Sequence, residues 1–254
     1  MLKVINDIAL WIEGNSESKI DVWFLPGFAE SHLCFREAFK HRISKEVRII
    51  LFDPPGFGAS PARSEGITIK DCATVWKNLI NSISKYQKLV LVAHSVAGII
   101  ATETATILDR VPSLIISVEG NLTTADAYFS GQAVNYNSPF DFYQNFSNSV
   151  LDLINKGDVP MSYYASLQFA DPNTLWTLGR STQDYNEPGI DFQKLECPTV
   201  YYWNDETLSS ESKEFLKAND LNNKKMEGLG HWPMNKSPER FYSQFLNDIS
   251  VHVK

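Results

Sequence analysis

Short apolar runs rich in β-branched and aromatic residues recur along the chain. They fall at residues 8–12 (IALWI), 20–25 (IDVWFL), 47–52 (VRIILF), 88–93 (KLVLVA), 114–119 (LIISVE) and 199–203 (TVYYW). Each has the length and composition of a β-strand. Between and after them lie segments with helical spacing of apolar positions, at 31–43, 68–85, 96–111 and 237–253. Strands alternating with helices predict an α/β domain with a largely parallel sheet covered on both faces. The first two runs, joined by the turn-like EGNSESK, are expected to form an antiparallel hairpin at the sheet's edge.

One interval breaks this rhythm. About 80 residues separate the run ending at Glu119 from the one starting at Thr199, where a crossover needs only a dozen or so. Residues 121–190 carry 12 of the 31 aromatic side chains, among them Tyr128, Phe129, Tyr163, Tyr164 and Trp176, mixed with Asn, Ser and Asp. A helical cap insertion over an apolar pocket fits that composition, as does a plain aromatic core. The expected organisation is a core made of residues 1–120 and 191–254, interrupted by a cap at 121–190.

The stretch LVLVAHSVAG, from Leu89 to Gly98, passes from strand-like to helix-like sequence, and Ser95 sits at the seam. In an open parallel sheet ligands bind beyond the carboxyl ends of the strands, so a side chain on such a turn faces the binding crevice. A turn that tight leaves room only for small residues two positions to either side, and Ala93 and Ala97 stand there. Taken alone, Ser95 could instead cap the following helix.

The segment AHSVAG resembles the nucleophile elbow of the α/β-hydrolase family, G-x-S-x-G, with alanine in place of both outer glycines. Three further segments resemble the same family in the same order. FLPGFAESH (24–32) is similar to its oxyanion loop, FDPPGFGAS (52–60) to its glycine-rich turn, and GLGHWPMNKSPERF (228–241) to its histidine loop. The resemblance spans the chain from the second strand to the last helix. It implies an α/β-hydrolase fold with Ser95 as nucleophile and His231 as general base, and with the backbone N–H groups of Phe28 and Val96 as oxyanion donors. Val96 also opens a helix, whose free amides and dipole favour a negative charge. The turn at 52–60 is read as structural. His32, His41, His94 and His252 lack a comparable context.

The acid of the triad stays open at this point. The family pattern places it after the strand at 199–203, but this chain reads PTVYYWNDET, with Thr207 in the aspartate's place and Asp205 and Glu206 slightly early. Some family members carry the acid one strand earlier, where this chain has Glu119. Neighbouring parallel strands lie about 5 Å apart, so a carboxylate at either strand end reaches the same imidazole.

Charge and cysteine content narrow the function classes. A net charge of −7 without a run of Lys or Arg gives no footprint for nucleic acid. No apolar run reaches the ~18 residues of a membrane span, and MLKVINDIALWIEG has charges where a signal peptide needs an apolar stretch. A cytoplasmic protein without membrane insertion is expected. Cys34, Cys72 and Cys197 give neither a disulfide framework nor a metal clip, and no HExxH or EF-hand spacing occurs. No metal and no cofactor are expected. The resemblance implies a serine hydrolase acting on an ester-type bond of a small to medium apolar acyl substrate through an acyl-enzyme. C–C bond hydrolase, thioesterase and acyltransferase chemistry on the same triad, or a ligand-binding receptor with little turnover, are the alternatives. The oligomeric state is left open.

Overall fold

Four strands whose side chains are apolar on both faces set the architecture of this chain, for which a computed structural model describes residues 2–85 and 87–253. These strands are β3 (Ile20–Leu25), β4 (Arg48–Phe52), β5 (Lys88–His94) and β6 (Leu114–Val118). Nearly every residue in them is buried, and they pair in parallel. Near-continuous apolar strands of this kind need layers on both sides. β7 (Thr199–Trp203) and β8 (Asn223–Lys225) extend the sheet in parallel beyond β6. β2 (Ile8–Gly14) and β1 (Leu2–Ile5) complete its other side, each antiparallel to its neighbour. The order among the described residues is β1-β2-β4-β3-β5-β6-β7-β8.

The expected hairpin between 8–12 and 20–25 does not form. β2 instead pairs with β4, Leu10 opposite Phe52, and with β1. Asn6 and Asp7 make the connecting two-residue turn with φ of 49° and 64°, the positive values that match a hairpin turn to the strand twist. β3 carries Val22, Trp23, Phe24 and Leu25 fully buried, so its place is between β4 and β5, where both faces are covered. β8 was not foreseen because Asn-Lys-Lys has no apolar alternation. Residues 31–43 are also not an α-helix. They form 3-10 segments at His32–Phe39 and Arg42–Lys45. Asp53, just after β4, accepts the His32 N–H at 2.7 Å. That pin holds the start of the segment against the sheet in a tighter winding, which apolar spacing alone does not distinguish from an α-helix.

α1 (Ile69–Ile83) starts at a capping box in which Thr68 and Asp71 satisfy each other's amides, and buries Ile69, Cys72, Trp76, Leu79 and Ile80 as one stripe. α2 (Ala97–Ile107) buries every residue from Ala97 to Thr102. α7 (Ser210–Ala218) and the short α8 (Pro233–Lys236) precede α9 (Pro238–His252), which sends Phe241, Tyr242, Phe245 and Ile249 inward. There Tyr242 and Phe245 meet Phe24 of β3 at 5.9 and 5.6 Å between ring centroids. Each such side chain contributes about 1.5–3 kcal/mol of burial energy. No helix among the described residues is long and apolar enough to cross a membrane.

Between β6 and β7 the chain folds into α3 (Pro139–Lys156), α4 (Met161–Leu167), α5 (Pro172–Ser181) and α6 (Pro188–Gln193), the last of which runs past position 190. Ser138 caps α3 and Pro139 opens it; Gly157 ends it in the left-handed conformation, φ 83°. Phe142, Phe146 and Val150, spaced by four, form its buried stripe. Phe142 and Phe146 pack on Phe28 at 6.4 and 5.6 Å, so this excursion rests on the loop after β3.

Candidate active site

The turn from β5 into α2 holds Ser95 at φ 54°, a left-handed conformation that costs a non-glycine residue roughly 1–2 kcal/mol. The surrounding backbone enforces it. Ser95 N–H donates to Val118 O on β6 at 2.9 Å, and its carbonyl accepts from Gly98 N–H at 2.8 Å. The N-cap of α2 is Val96, with no side-chain capping bond, so Ser95 does not serve as a cap. Its half-buried hydroxyl makes no hydrogen bond among the described residues.

The loop after β3 comes against this turn at Gly27. A Cβ there would lie 2.9 Å from His94 O and 3.1 Å from Ser95 Cβ, so only glycine permits the approach. The next amide, Phe28 N–H, and the amide of Val96 both belong to residues at most 3% exposed. Neither donates to any group among the described residues. Buried backbone amides are almost always paired, so two orphans flanking one serine mark a place prepared for an acceptor.

His231 lies in the loop between β8 and α8, 8% exposed. Its Nδ1 stands 3.4 Å from Glu119 Oε2, at ion-pair distance without hydrogen-bond alignment, and Nδ1 and Glu119 Oε1 have no hydrogen-bond partner. Glu119 follows β6 at φ 51°, fixed by its N–H to Tyr202 O at 2.8 Å. Thr207 Oγ1 donates to Glu119 Oε2 at 2.6 Å. Of the two later carboxylates, Asp205 is exposed and turned outward to Lys225 and Lys213. Glu206 is exposed on the rim of a cavity. Glu119 is the one brought to the imidazole. Burial pushes the His231 midpoint down, as does the nearby His94, and the two outweigh the opposing pull of Glu119.

A second acid–histidine pair lies beside this one and went unrecognised in the sequence. Glu30 Oε2 sits 2.9 Å from His94 Nδ1 and accepts Gly27 N–H at 2.6 Å, while Glu30 Oε1 accepts Trp232 Nε1–H at 2.7 Å. His94 Nε2 donates to the backbone carbonyl of His231 at 2.7 Å. Burial alone would discharge both partners, yet the Coulombic and hydrogen-bonding contacts between them prevail. His94 is held above the ordinary histidine value and Glu30 below the ordinary carboxylate value. Glu30 and His94 are 64 positions apart, and no local pattern joins them. The only available signal was that each stands inside a segment resembling the family's machinery.

Cys34 adds a third donor, so that one atom from each of Glu30, Cys34 and His94 lies within 4.8 Å of the others. Burial pushes the Cys34 thiol well up, and the Glu30 carboxylate pushes it further. The carboxylate and the imidazole of this trio are already hydrogen-bonded to each other.

His231 borders two adjoining cavities of about 640 and 370 Å³. Tyr128, Phe129, Leu153, Val159 and Trp232 give the smaller one apolar walls, and Asp158 and Glu206 stand at both. Both cavities meet the site at the imidazole, beside the end of α3, and Ser95 is not among the residues that line them.

Solved structures share this architecture over their whole length. An esterase from Thermogutta terrifontis with malate bound is 18% identical, with 96% of this chain and 94% of that one covered and a TM-score of 0.76. MenH from S. aureus is 14% identical, with coverage of 98% and 100% and a TM-score of 0.77. The esterase EaEST from Exiguobacterium antarcticum is 15% identical, with coverage of 98% and 98% and a TM-score of 0.71. At these identities the likeness is one of fold. No curated protein matches the sequence. The model of the alpha/beta hydrolase family matches residues 24–244, from the end of β3 into α9, and the chain belongs to that family of enzymes.

Proposed function

We propose that the protein is a serine hydrolase that cleaves an ester-type bond in a small to medium apolar acyl substrate through an acyl-enzyme. The observation that carries this reading is the hydroxyl of Ser95, which among the described residues makes no hydrogen bond, to His231 included, and is flanked by the buried amides of Phe28 and Val96, unpaired among the same residues. His231 Nε2 takes the Ser95 proton as Oγ attacks the carbonyl carbon, and the resulting oxyanion is held by the two amides. Glu119 orients the ring through Nδ1–H and stabilises its charged form. The imidazolium then gives its proton to the leaving alcohol as the C–O bond breaks. Water, deprotonated by the same ring, attacks the acyl-enzyme and releases the acid. Residues 121–190 act as a cap, and Phe28, Phe129, Phe142 and Phe146 support an apolar acyl group beside Ser95.

A fluorophosphonate probe tests the reading. It is expected to give a Ser95 adduct that is absent from Ser95→Ala, and esters of graded acyl length then define the pocket. A folded protein that takes no label, with no Ser95-dependent ester turnover, would instead favour a ligand-binding role. The unaligned 3.4 Å separation of His231 and Glu119 is the observation on that side, although catalytic contacts often tighten only with substrate bound.

A further inference from the structure

We propose that Glu30 and His94 are positioning residues, a buried ion pair that ties the oxyanion loop, the nucleophile turn and the histidine loop into one frame. The role rests on the reading of Ser95 and His231 as the reacting groups, whereas the ion pair itself does not.

The proton inventory follows from the partners. His94 Nε2 faces the carbonyl of His231, which can only accept, so Nε2 carries a hydrogen. Glu30 Oε2 already accepts Gly27 N–H, and Glu30 Oε1 accepts Trp232 Nε1–H. Both carboxylate oxygens accept N–H bonds, which favours the ionised carboxylate, and the proton between Glu30 and His94 is assigned to Nδ1. His94 is therefore an imidazolium and Glu30 a carboxylate, with side chains only 1% and 2% exposed.

Each bond of this pair ends on a different part of the reaction site. Gly27 N–H fixes the residue before the Phe28 amide, and His94 immediately precedes Ser95. His231 O and Trp232 Nε1 fix the loop that presents the His231 ring. A displacement of about 1 Å in any of them costs up to 10²-fold in rate. Trp232 packs against both histidine rings, at 6.1 Å from His94 and 4.8 Å from His231.

The pair also sets the charge around His231, whose ring centroid is 4.8 Å from that of His94. Glu119 from the end of β6, His94 from the end of β5, Tyr128 from the loop after β6 and Glu30 from the loop after β3 all act on the His231 imidazole. Tyr128 is partly exposed and its phenol is neutral at neutral pH, and burial keeps Tyr163 and Cys34 beside Glu30 protonated and neutral. The positive charge of His94 outweighs the more distant Glu30 in its effect on His231. Removing the pair's charges is therefore expected to raise the pH at which His231 takes a proton.

Nitrogen NMR of histidine-labelled protein tests this independently of turnover. In the wild type, His94 is expected to show both ring nitrogens protonated through neutral pH. In Glu30→Gln it becomes neutral, and the His231 titration moves to higher pH. In parallel, kcat for a chromogenic acetate ester falls roughly ten- to hundred-fold with KM little changed, and the acid limb of the rate profile follows His231. A neutral His94 in the wild type, or an unchanged His231 titration in a folded Glu30→Gln, overturns the proposal. If Glu30→Gln does not fold, the wild-type spectrum still decides the charge, and Glu30→Gln/His94→Asn is expected to recover stability, because it leaves no lone buried charge. Absence of Ser95-dependent turnover in the wild type would strike the hydrolase reading alone.

Discussion

Thr207 Oγ1 donates a hydrogen bond of 2.6 Å to Glu119 Oε2 across the ends of β6 and β7. Thr207 occupies the place where the family pattern puts an acid, and here it donates to the carboxylate of the neighbouring strand that is proposed as the acid. The carboxylate and its support have in effect divided between two strand ends that the parallel register keeps side by side, with Val118 opposite Tyr202.

Glu119→Gln is accordingly expected to lower kcat by about 10³- to 10⁴-fold, because a neutral amide neither stabilises the imidazolium nor enforces the tautomer. Asp205→Asn is expected to leave kcat within a few-fold, since Asp205 is exposed and paired with lysines. Thr207→Asp placed in Glu119→Gln should restore part of the lost rate. Steady-state kinetics on one chromogenic ester checks all three, and a larger loss in Asp205→Asn than in Glu119→Gln would move the acid to the later loop.

The pH profile carries a sign. The base must be neutral to act, and burial together with His94 holds the His231 midpoint below the ordinary value. The midpoint of the acid limb of kcat/KM should therefore fall below about 6.5, the ordinary histidine value. Glu119→Gln removes the group that raises this midpoint, so the residual activity should persist to still lower pH. A limb above the ordinary histidine value in the wild type would contradict this assignment of charges.

The parallel core was legible in the sequence because its strands are apolar on both faces, and so was the seam at Ser95, where strand-like sequence gives way to helical. The pairing of β2 was not. Which strand an edge run adopts depends on what covers its neighbours, and the polar stretch at 13–19 is a stronger turn signal than the two residues Asn6-Asp7. Glu119 stood out by its place at a strand end, but the choice against Asp205 required the lysines that draw Asp205 away. Glu30 and His94 are not legible as a pair, because a buried ion pair is defined by separation in space and each residue alone looks like a variable loop position.

Gly27 offers a test of the oxyanion loop through the backbone, without replacing any functional side chain. In Gly27→Ala the added methyl would meet His94 O, Glu30 Oε2 and Ser95 Cβ at 2.9, 3.1 and 3.1 Å, and the loop relieves this by moving away from Ser95 and taking the Phe28 amide with it. A fall in kcat of about 10²- to 10³-fold is expected, the usual effect of losing one oxyanion donor. KM and the far-ultraviolet circular dichroism should change little. Wild-type kcat in this variant would show that Phe28 N–H is not a donor.

Phe146 links the packing of the excursion to the space beside the nucleophile. Its ring contacts Phe28, Phe129 and Phe142 within 5.6 Å between centroids, and it is almost wholly buried. Phe146→Ala removes most of a side chain whose neighbours are themselves held by three different segments, so the gap cannot close fully. The expected loss is about 3–5 kcal/mol, or on the order of 10 °C in Tm for a chain of this size. The same cavity opens next to Phe28, so the variant should gain relative kcat/KM on longer acyl chains while its preference for the shortest esters weakens. Thermal melts and a chain-length series measure the two effects together. Destabilisation without any change in chain-length preference would place the acyl pocket elsewhere, on the side of Tyr128 and Trp232.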